Sequence, residues 1–269
     1  MTDHSYDEMC RANVYKDSLG ELKSRGFLPE DFSAVFIGGS VARGWNNPLS
    51  DIDFYVVVPE PWTSATSDHV TVPLTPNRIV TEAFDVDGRR WEIRYWLSSQ
   101  LDQVLEKISW EDFDGGVVPA YKLNHVEETL LERISKGLPV AGQGWIEEKR
   151  RIIDASALKA ITVTRELGAS DDLVEDALGQ LENNDIPSAI LSARAAFGHS
   201  VNALLAGAGD YDGTDKWRSR RMRAVNPELL PYDLYWEVET MRRLDSQSPE
   251  EWVIGVSRLC KRLARKLSF

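Results

Sequence analysis

The sequence contains few cysteines and histidines and no long hydrophobic run. Its two cysteines, Cys10 and Cys260, stand near opposite ends of the chain, so they provide neither a disulfide framework nor the close spacing of a metal-binding motif. No apolar stretch approaches the roughly 18 residues of a membrane-spanning helix, and the polar, acidic N-terminal segment is unlike a signal peptide. These absences predict a cytoplasmic protein with no membrane association.

Basic residues are outnumbered by acidic ones. The chain of 269 residues has 31 Lys and Arg against 43 Asp and Glu, a formal net charge of −12, and residues 1–145 carry 13 of the basic and 23 of the acidic residues. Binding to duplex nucleic acid needs clustered cations, so this balance argues against nucleic acid as the main partner. The acidic charge would attract a small cationic substrate, and it also serves solubility.

The hydrophobic pattern predicts an α+β protein with two domains. Short apolar runs typical of strands occur in AVFIGG at 34–39 and in DIDFYVVV at 51–58, whereas the pattern after Gln100 is helical. The segment GLPVAGQG is the Gly- and Pro-dense break between helical stretches, and it sets the predicted boundary. We therefore expect an N-terminal domain at 1–140 and a bundle of about five helices at 141–269.

Shorter signals locate individual elements. Helical spacing occurs at about 5–25, and the Pro-, Ser- and Thr-rich segment 59–76 predicts an irregular loop. Helix starts are predicted at Ser170, Asp185 and Ser248 from capping residues and acidic or proline first turns.

The Asp-Gly pair at 87–88 is a strong hairpin signal between two β-rich runs. A two-residue turn there pairs Phe84 with Trp91 and Ala83 with Glu92. Because directly opposed residues share a face of a sheet, Glu92 is predicted on the polar face of a strand whose other face packs in the core.

Two aspartates, Asp51 and Asp53, stand at the head of the apolar run DIDFYVVV. Alternation along a strand points both to one face, with Cα atoms about 6.5 Å apart. Carboxylates at that spacing can converge on divalent cations, and Glu92 would complete the cluster. Such hard oxygen ligands suit Mg²⁺ or Mn²⁺ shared with substrate phosphates. Asp85, on the same face, and Glu82, on the core face, are the competing acidic residues. In the alternative interpretation, Glu92 is a surface residue that forms a salt bridge with Arg94 or Arg90.

The segment Gly38-Gly39-Ser40 follows the first apolar run. Glycines let the backbone approach a ligand closely, and exposed amides after a strand form an anion-binding nest. Gly39 and Ser40 are therefore candidate phosphate-binding residues. Arg43, one helical turn further on, could contact the same phosphates.

The combination of GSVARG, SDIDFYVVV and a later acidic strand, WEIRYW, resembles the polymerase-β-type nucleotidyltransferase superfamily. With a helical C-terminal half, the chain is similar to small bacterial members, among them aminoglycoside and lincosamide nucleotidyltransferases and minimal nucleotidyltransferases paired with small helical proteins. The motif match covers roughly residues 32–96. The resemblance implies a catalytic domain with a mixed β-sheet packed on helices, followed by a helical domain that contacts substrate and triphosphate.

The resemblance also implies an activity and a set of roles. Nucleoside monophosphate, with AMP as the first candidate, would pass from an NTP such as ATP to a hydroxyl of a small molecule, an antibiotic or natural-product intermediate, with release of pyrophosphate. Gly39 and Ser40 would hold the triphosphate. Asp51 and Asp53 would ligate two divalent ions, Mg²⁺ or Mn²⁺. Glu92 would be either a third metal ligand or the general base.

In antibiotic-modifying relatives, a lysine of the helical domain clamps the triphosphate, and Lys216 in DKWRSRRMR resembles that residue. Arg218, Arg220 and Arg221 are alternatives. Related enzymes often pair two subunits, which makes a homodimer an expectation of the resemblance.

Three other functions remain open from sequence alone. AMP could be transferred to a protein or a tRNA, as in toxin–antitoxin modules. An Asp-x-Asp motif also occurs in sugar-nucleotide glycosyltransferases, although without a Gly-Gly-Ser turn ten residues earlier. A nucleotide sensor without activity could use the same scaffold.

Overall fold

The structure is a computed structural model that describes residues 17–114 and 123–267. The described residues form two compact units, the first ending at Ser156 and the second beginning at Ala157.

The first unit is built on a six-stranded sheet. Its strands are β1 (Ala34–Ile37), β2 (Ile52–Val58), β3 (Asp68–Thr71), β4 (Arg78–Val86), β5 (Arg89–Leu97) and β6 (Leu138–Ala141). Its helices are α1 (Ser18–Ser24), α2 (Gly39–Ala42), α3 (Ser98–Lys107), α4 (Trp110–Asp114), α5 (His125–Lys136) and α6 (Gln143–Ala155). The predicted helix at about 5–25 is observed as α1, and its residues before Asp17 lie outside the described part.

The sheet is mixed, as the resemblance implied. Its strand order is β3-β4-β5-β2-β1-β6. Strands β2 and β5 run parallel, whereas the other neighbouring pairs of the described sheet are antiparallel. The two strands that carry the candidate carboxylates are therefore direct neighbours.

The predicted hairpin is confirmed residue by residue. Strands β4 and β5 pair Phe84 with Trp91 and Ala83 with Glu92. Both turn residues are left-handed, with φ of 50° at Asp87 and 77° at Gly88, as a two-residue turn between twisted strands requires. This register fixes the face on which Glu92 lies.

Both faces of β2 are covered beyond its first residues. Ile52 and Phe54 pack with Trp91 in one apolar core. On the opposite face, Tyr55 is buried and stacks on Phe36, with ring centroids 5.2 Å apart. Asp53 precedes Tyr55 on that face and is only partly buried, so it lies where the covered part of the face begins.

Two edge strands were not predicted. Strand β3 lies inside the segment 59–76 that was expected to be irregular, and it pairs with β4. All of its residues are exposed, so it has none of the apolar alternation by which strands are recognised. Strand β6 lies in the predicted domain break, where Pro139 pairs with Phe36 at the edge of the sheet.

The division between the units comes later than the predicted boundary at residues 140 and 141. Strand β6 belongs to the first sheet, and α6 follows it in the same unit. The Arg150 side chain of α6 donates to the carbonyl oxygens of Ile134, at 2.9 Å, and Gly137. These backbone contacts bind α6 to the end of α5 and to the start of β6.

The second unit is a helical bundle, as predicted. Its described helices are α7 (Leu158–Glu182), α8 (Ile186–Gly207), α9 (Arg218–Val225), α10 (Tyr232–Glu239) and α11 (Pro249–Lys266), with one 3₁₀ turn at Asp215–Trp217. The predicted starts at Asp185 and Ser248 are confirmed, and the Asp185 carboxylate accepts from the Ser188 amide at 3.3 Å.

The predicted helix start at Ser170 is wrong. Ser170 lies inside the 25-residue helix α7, where it is buried. Its hydroxyl contacts the Ala196 carbonyl oxygen at 2.9 Å and the Ser200 hydroxyl at 2.8 Å on α8. A serine that resembled a cap is therefore a polar link between two packed helices.

Across the described residues, every helix is too short or too polar to cross a membrane.

Candidate active site

The turn after β1 lies directly against Asp53. Gly38 donates its backbone N–H to the Asp53 carbonyl oxygen at 2.9 Å. Gly39 has φ of 66°, and a Cβ atom there would stand 2.7 Å from Asp53 Oδ2. Two features therefore favour glycine at position 39: the left-handed backbone conformation and the close approach of the Asp53 carboxylate. Ser40, in the first turn of α2, is partly exposed next to this contact.

Asp53 and Glu92 lie opposite each other on adjacent parallel strands. The register of β2 and β5 pairs these two residues directly, and paired residues project from the same face of a sheet. Their side chains are 27% and 29% exposed, so both carboxylates remain open to a ligand. The structure thus brings two of the three predicted carboxylates together.

Asp51 lies outside the strand register that pairs Asp53 with Glu92. It precedes the first residue of β2 and is exposed. Its charge acts on Arg90, whose pKa is raised mainly by a hydrogen bond to Glu92 and by the charges of Glu92, Asp51 and Asp85. Asp51 is therefore exposed to solvent and close enough to Arg90 for its charge to act there. Glu82, the competitor on the core face, is buried and accepts from the hydroxyls of Ser64 and Thr66.

Two arginines of β5 neutralise the carboxylate pair. Arg90 Nε contacts Glu92 Oε1 at 2.8 Å. Arg94 contacts Asp53 Oδ1 at 3.4 Å through one terminal nitrogen and Glu92 Oε2 at 3.7 Å through the other. A salt bridge of Glu92 with Arg90 or Arg94 is the alternative that the sequence left open, and both contacts are observed. Arg94 also contacts Asp53 and so joins the two strands at the candidate site.

The buried Tyr55 side chain contacts the same network of charged residues. Arg94 donates to its hydroxyl at 3.1 Å. Burial raises the pKa of the Tyr55 phenol, although the positive charges of Arg94 and Arg133 oppose this shift. Burial alone would lower the pKa of Arg94, but the Tyr55, Asp53 and Glu92 groups outweigh it and raise the pKa. Both groups therefore keep their ordinary protonation states near neutral pH.

Arg43 has a protein partner of its own. Its guanidinium contacts Glu132 Oε1 at 2.6 Å and 3.2 Å, and it lies 4.9 Å above the centroid of the Trp45 ring. Glu132 is buried on α5 and also pairs with Arg133. Through this ion pair, Arg43 links the segment after the glycine turn to α5. A role in phosphate binding would require it to leave Glu132.

The comparisons with known proteins concern this part of the chain. Residues 23–133 match the family model of the nucleotidyltransferase domain, and this range contains the glycine turn, Asp51, Asp53 and Glu92. This part of the chain is a nucleotidyltransferase domain. The match supports the polymerase-β-type superfamily that the motifs predicted, and the protein is a transferase enzyme.

A solved structure also aligns with the chain over most of its length. It is a nucleotidyltransferase-like protein from Exiguobacterium sibiricum 255-15, which is 9% identical, with a TM-score of 0.44, and the alignment covers 96% of this chain and 74% of that one. The search of curated proteins found no match.

The nucleotidyltransferase domain offers the donor chemistry that a divalent cation requires, hard carboxylate oxygens on adjacent strands. Within residues 17–114 and 123–267, however, no three His, Cys, Asp or Glu side chains converge closely enough to hold a metal ion. Asp53 and Glu92 fit such an ion as a pair, and they are held by arginines. Asp51 would have to turn toward them to become a third ligand.

The predicted clamp residue, Lys216, belongs to the second unit. It lies exposed in the 3₁₀ turn, with its ammonium 5.6 Å from the centroid of the Trp217 ring. It lines a polar cavity of about 560 Å³ together with His199, Arg194 and Arg218. Lys216 therefore stands at a site with the size of a small-molecule pocket.

The alternatives to Lys216 differ in burial. Arg218 is buried and pairs with Asp215 and Glu239, and Arg221 is buried against Asp210 at 2.9 Å. Both guanidiniums form ion pairs within the helical bundle. Arg220 is exposed and lies 5.0 Å from the centroid of the Trp217 ring.

Arg133 is the residue near the site that the sequence did not suggest. Its side chain packs against Gly38, where an added Cβ would meet Arg133 Cδ, and its guanidinium approaches Gly39. The available signal was the charged pair at 132–133 within the apolar run LLERIS, because charges at core positions of a helix are usually paired.

Proposed function

We propose that the protein transfers a nucleoside monophosphate, with AMP as the first candidate, from an NTP to a hydroxyl of a small molecule and releases pyrophosphate. The nucleotidyltransferase domain supports nucleotidyl transfer in general, and it implies an NTP substrate. The observation that carries the proposal is the in-register pair of Asp53 and Glu92 beside Gly39.

The reaction is an in-line displacement at the α-phosphorus of the NTP. The acceptor oxygen forms a bond to that phosphorus while the bond to the oxygen bridging the α- and β-phosphates breaks. The leaving pyrophosphate takes the electron pair of the broken bond. The proton of the acceptor hydroxyl passes to a base, and Glu92 takes that role if Asp51 and Asp53 alone hold the cation.

The polypeptide would act mainly by binding and orientation. Gly39 and Ser40 would receive the triphosphate at the turn where the backbone is open to a ligand. Asp53 and Glu92, with Asp51, would hold a divalent cation, Mg²⁺ or Mn²⁺, which when bound would neutralise phosphate charge. Arg43 would keep the glycine turn in place through Glu132.

The acceptor would be small, hydroxylated and cationic. The net charge of −12 supports this choice, since a negative field concentrates cations at the protein surface. Aminoglycoside and lincosamide antibiotics have these properties and form the first panel to test.

The test combines nucleotide and acceptor screening. Thermal-shift measurements with each common NTP, with and without Mg²⁺, would identify the base preference. The protein would then be incubated with that NTP and the panel of hydroxylated antibiotics, and pyrophosphate and nucleotidylated product would be measured. We expect a thermal shift that requires both NTP and Mg²⁺, and a nucleotidylated product with one class of acceptor.

Two results would contradict the proposal in different ways. If pyrophosphate is released and the labelled nucleotide is found on a protein or a tRNA of a lysate, the acceptor is a macromolecule and not a small molecule. If no class of acceptor supports NTP turnover, the proposed nucleotidyltransferase activity is contradicted.

A further inference from the structure

Arg94 occupies the space between the two in-register carboxylates. One terminal nitrogen of its guanidinium lies 3.4 Å from Asp53 Oδ1, and the other lies 3.7 Å from Glu92 Oε2. The nitrogen on the Asp53 side also donates to the Tyr55 hydroxyl at 3.1 Å. Arg94 is thus a single cation shared by both carboxylates, at the place where a shared divalent cation would also bind.

The two kinds of cation would compete for the same pair of carboxylates. A guanidinium and a metal ion would both relieve the repulsion between Asp53 and Glu92, and Arg94 already contacts one oxygen of each. The Arg94 side chain is 32% exposed, so it can leave without opening the core. Its departure would, however, leave two carboxylates uncompensated unless another cation takes its place.

We propose that Arg94 is a built-in counter-ion that competes with the divalent cation for Asp53 and Glu92 and makes cation binding depend on the nucleotide. The proposal rests on the proposed function in one respect, that a divalent cation binds these carboxylates. In the free protein, the guanidinium neutralises the pair and keeps the affinity for a bare ion low. The phosphates of an NTP offer the guanidinium a stronger, bidentate partner, so Arg94 leaves the carboxylates as the NTP arrives.

Tyr55 keeps Arg94 near the site during this exchange. Its ring is buried and stacked on Phe36, so its hydroxyl has a fixed position. The Arg94 guanidinium also lies 5.7 Å from the centroid of that ring. The hydrogen bond and the cation–π contact remain available when the contacts with Asp53 and Glu92 are broken.

Mn²⁺ binding to the full-length protein tests the competition without any turnover. Electron paramagnetic resonance would measure free Mn²⁺ in the absence of nucleotide. Arg94→Gln is expected to lower the dissociation constant for Mn²⁺ roughly tenfold, because it removes the competing charge. Arg94→Lys keeps the charge and is expected to stay within about threefold of the wild type.

A matched control separates local competition from net charge. Arg78→Gln removes one positive charge from the exposed end of β4 and is expected to leave Mn²⁺ binding unchanged. Circular dichroism would verify that each variant is folded. Mn²⁺ is also expected to raise the melting temperature of Arg94→Gln more than that of the wild type.

The nucleotide dependence has its own measurement. With α,β-methylene ATP present, the Mn²⁺ dissociation constants of the wild type and Arg94→Gln are expected to converge, because the phosphates displace the guanidinium in the wild type. A difference that persists undiminished would overturn the coupling to nucleotide.

Two outcomes distinguish failure of this proposal from failure of the proposed function. If the wild type binds Mn²⁺ and Arg94→Gln binds it equally or more weakly, Arg94 only positions the carboxylates and the counter-ion proposal is overturned. If neither protein binds Mn²⁺ at millimolar concentration, the metal assignment of Asp53 and Glu92 fails, and the counter-ion proposal fails with it.

Discussion

At the scale of single residues, the close approach of Gly39 to Asp53 links the turn to the candidate carboxylates. Any larger residue at position 39 would place its Cβ 2.7 Å from Asp53 Oδ2 and would also strain a backbone with φ of 66°. Gly88 provides a comparison, because its φ is 77° but no atom lies within 4 Å of its virtual Cβ. Substitutions at the two glycines therefore distinguish the effect of backbone strain, which both share, from the effect of displacing the Asp53 carboxylate, which only position 39 has.

We expect Gly39→Ala to destabilise the protein by about 2 kcal/mol or more and to reduce nucleotidyl transfer at least tenfold, because the strain adds to the displacement of Asp53. Gly88→Ala is expected to cost about 1 kcal/mol and to keep full activity. Urea denaturation and pyrophosphate release would measure the two effects. Equal loss of activity in both variants would show that the contact with Asp53 is unimportant.

The sequence could predict the positions of the carboxylates and, as an alternative role for Glu92, a salt bridge with Arg90 or Arg94, but not the contact of Arg94 with Asp53. Alternation along the strand and the Asp-Gly turn together placed Asp53 and Glu92 on polar faces, and the observed register agrees. The contacts of Arg94 depend on which strands are neighbours and how side chains turn, which periodicity does not determine. The Arg43 ion pair depends on Glu132, 89 residues later in the chain, and was missed for the same reason.

At the scale of elements, helices α7 and α8 are joined by polar contacts within their interface. His199 Nδ1 lies 2.9 Å from Glu166 Oε2, and Ser170 meets Ser200 at 2.8 Å. Burial acts to raise the pKa of the Glu166 carboxyl, but the His199 hydrogen bond and the Arg165 charge outweigh it, so the pKa is lowered. The ionised carboxylate therefore stabilises the helix pair.

This lowered pKa predicts a pH dependence of stability. The contribution of Glu166 is fully present above its ordinary pKa of 4.5 and is lost as the pH falls through the lower value of the folded state. We expect the free energy of unfolding of Glu166→Gln to fall less than that of the wild type between about pH 5 and pH 3. Urea denaturation across this range would test it, and parallel curves for the two proteins would contradict it.

The elements that the sequence missed share a physical reason. Strand β3 is exposed throughout, and β6 has only four residues with a proline, so neither shows a buried periodic face. Ser170 with its following aspartates resembled a helix start, but α8 supplies hydrogen-bond partners that let the serine lie inside a helix. Edge strands and tertiary hydrogen bonds are set by neighbours that are distant in sequence.

At the scale of the whole molecule, each unit has a core made from its own residues. The core of the first unit groups Val35, Phe54 and Ile93 with Leu138, and the core of the second is centred on Phe197. Helix α6 buries Ile146 and Ile153 within the first unit. From these two clusters we expect each unit to be able to fold by itself.

We therefore expect a fragment of residues 1–156 to unfold cooperatively and a fragment of residues 1–140 to lose cooperativity, because the shorter one lacks α6 and the end of β6. A fragment of residues 157–269 is expected to form a helical domain. Thermal unfolding followed by circular dichroism would compare the three. Equal cooperativity in the two N-terminal fragments would instead support the boundary at residues 140 and 141.

The most direct test of the central claim is pyrophosphate release by Asp53→Asn in the presence of Mg²⁺, the preferred NTP and an accepted hydroxyl compound. Asp68→Asn, which changes an exposed carboxylate on β3, is the matched control. We expect a folded Asp53→Asn protein whose rate falls roughly a hundredfold or more, with Asp68→Asn like the wild type. Undiminished pyrophosphate release by Asp53→Asn would contradict a role for this carboxylate in nucleotidyl transfer.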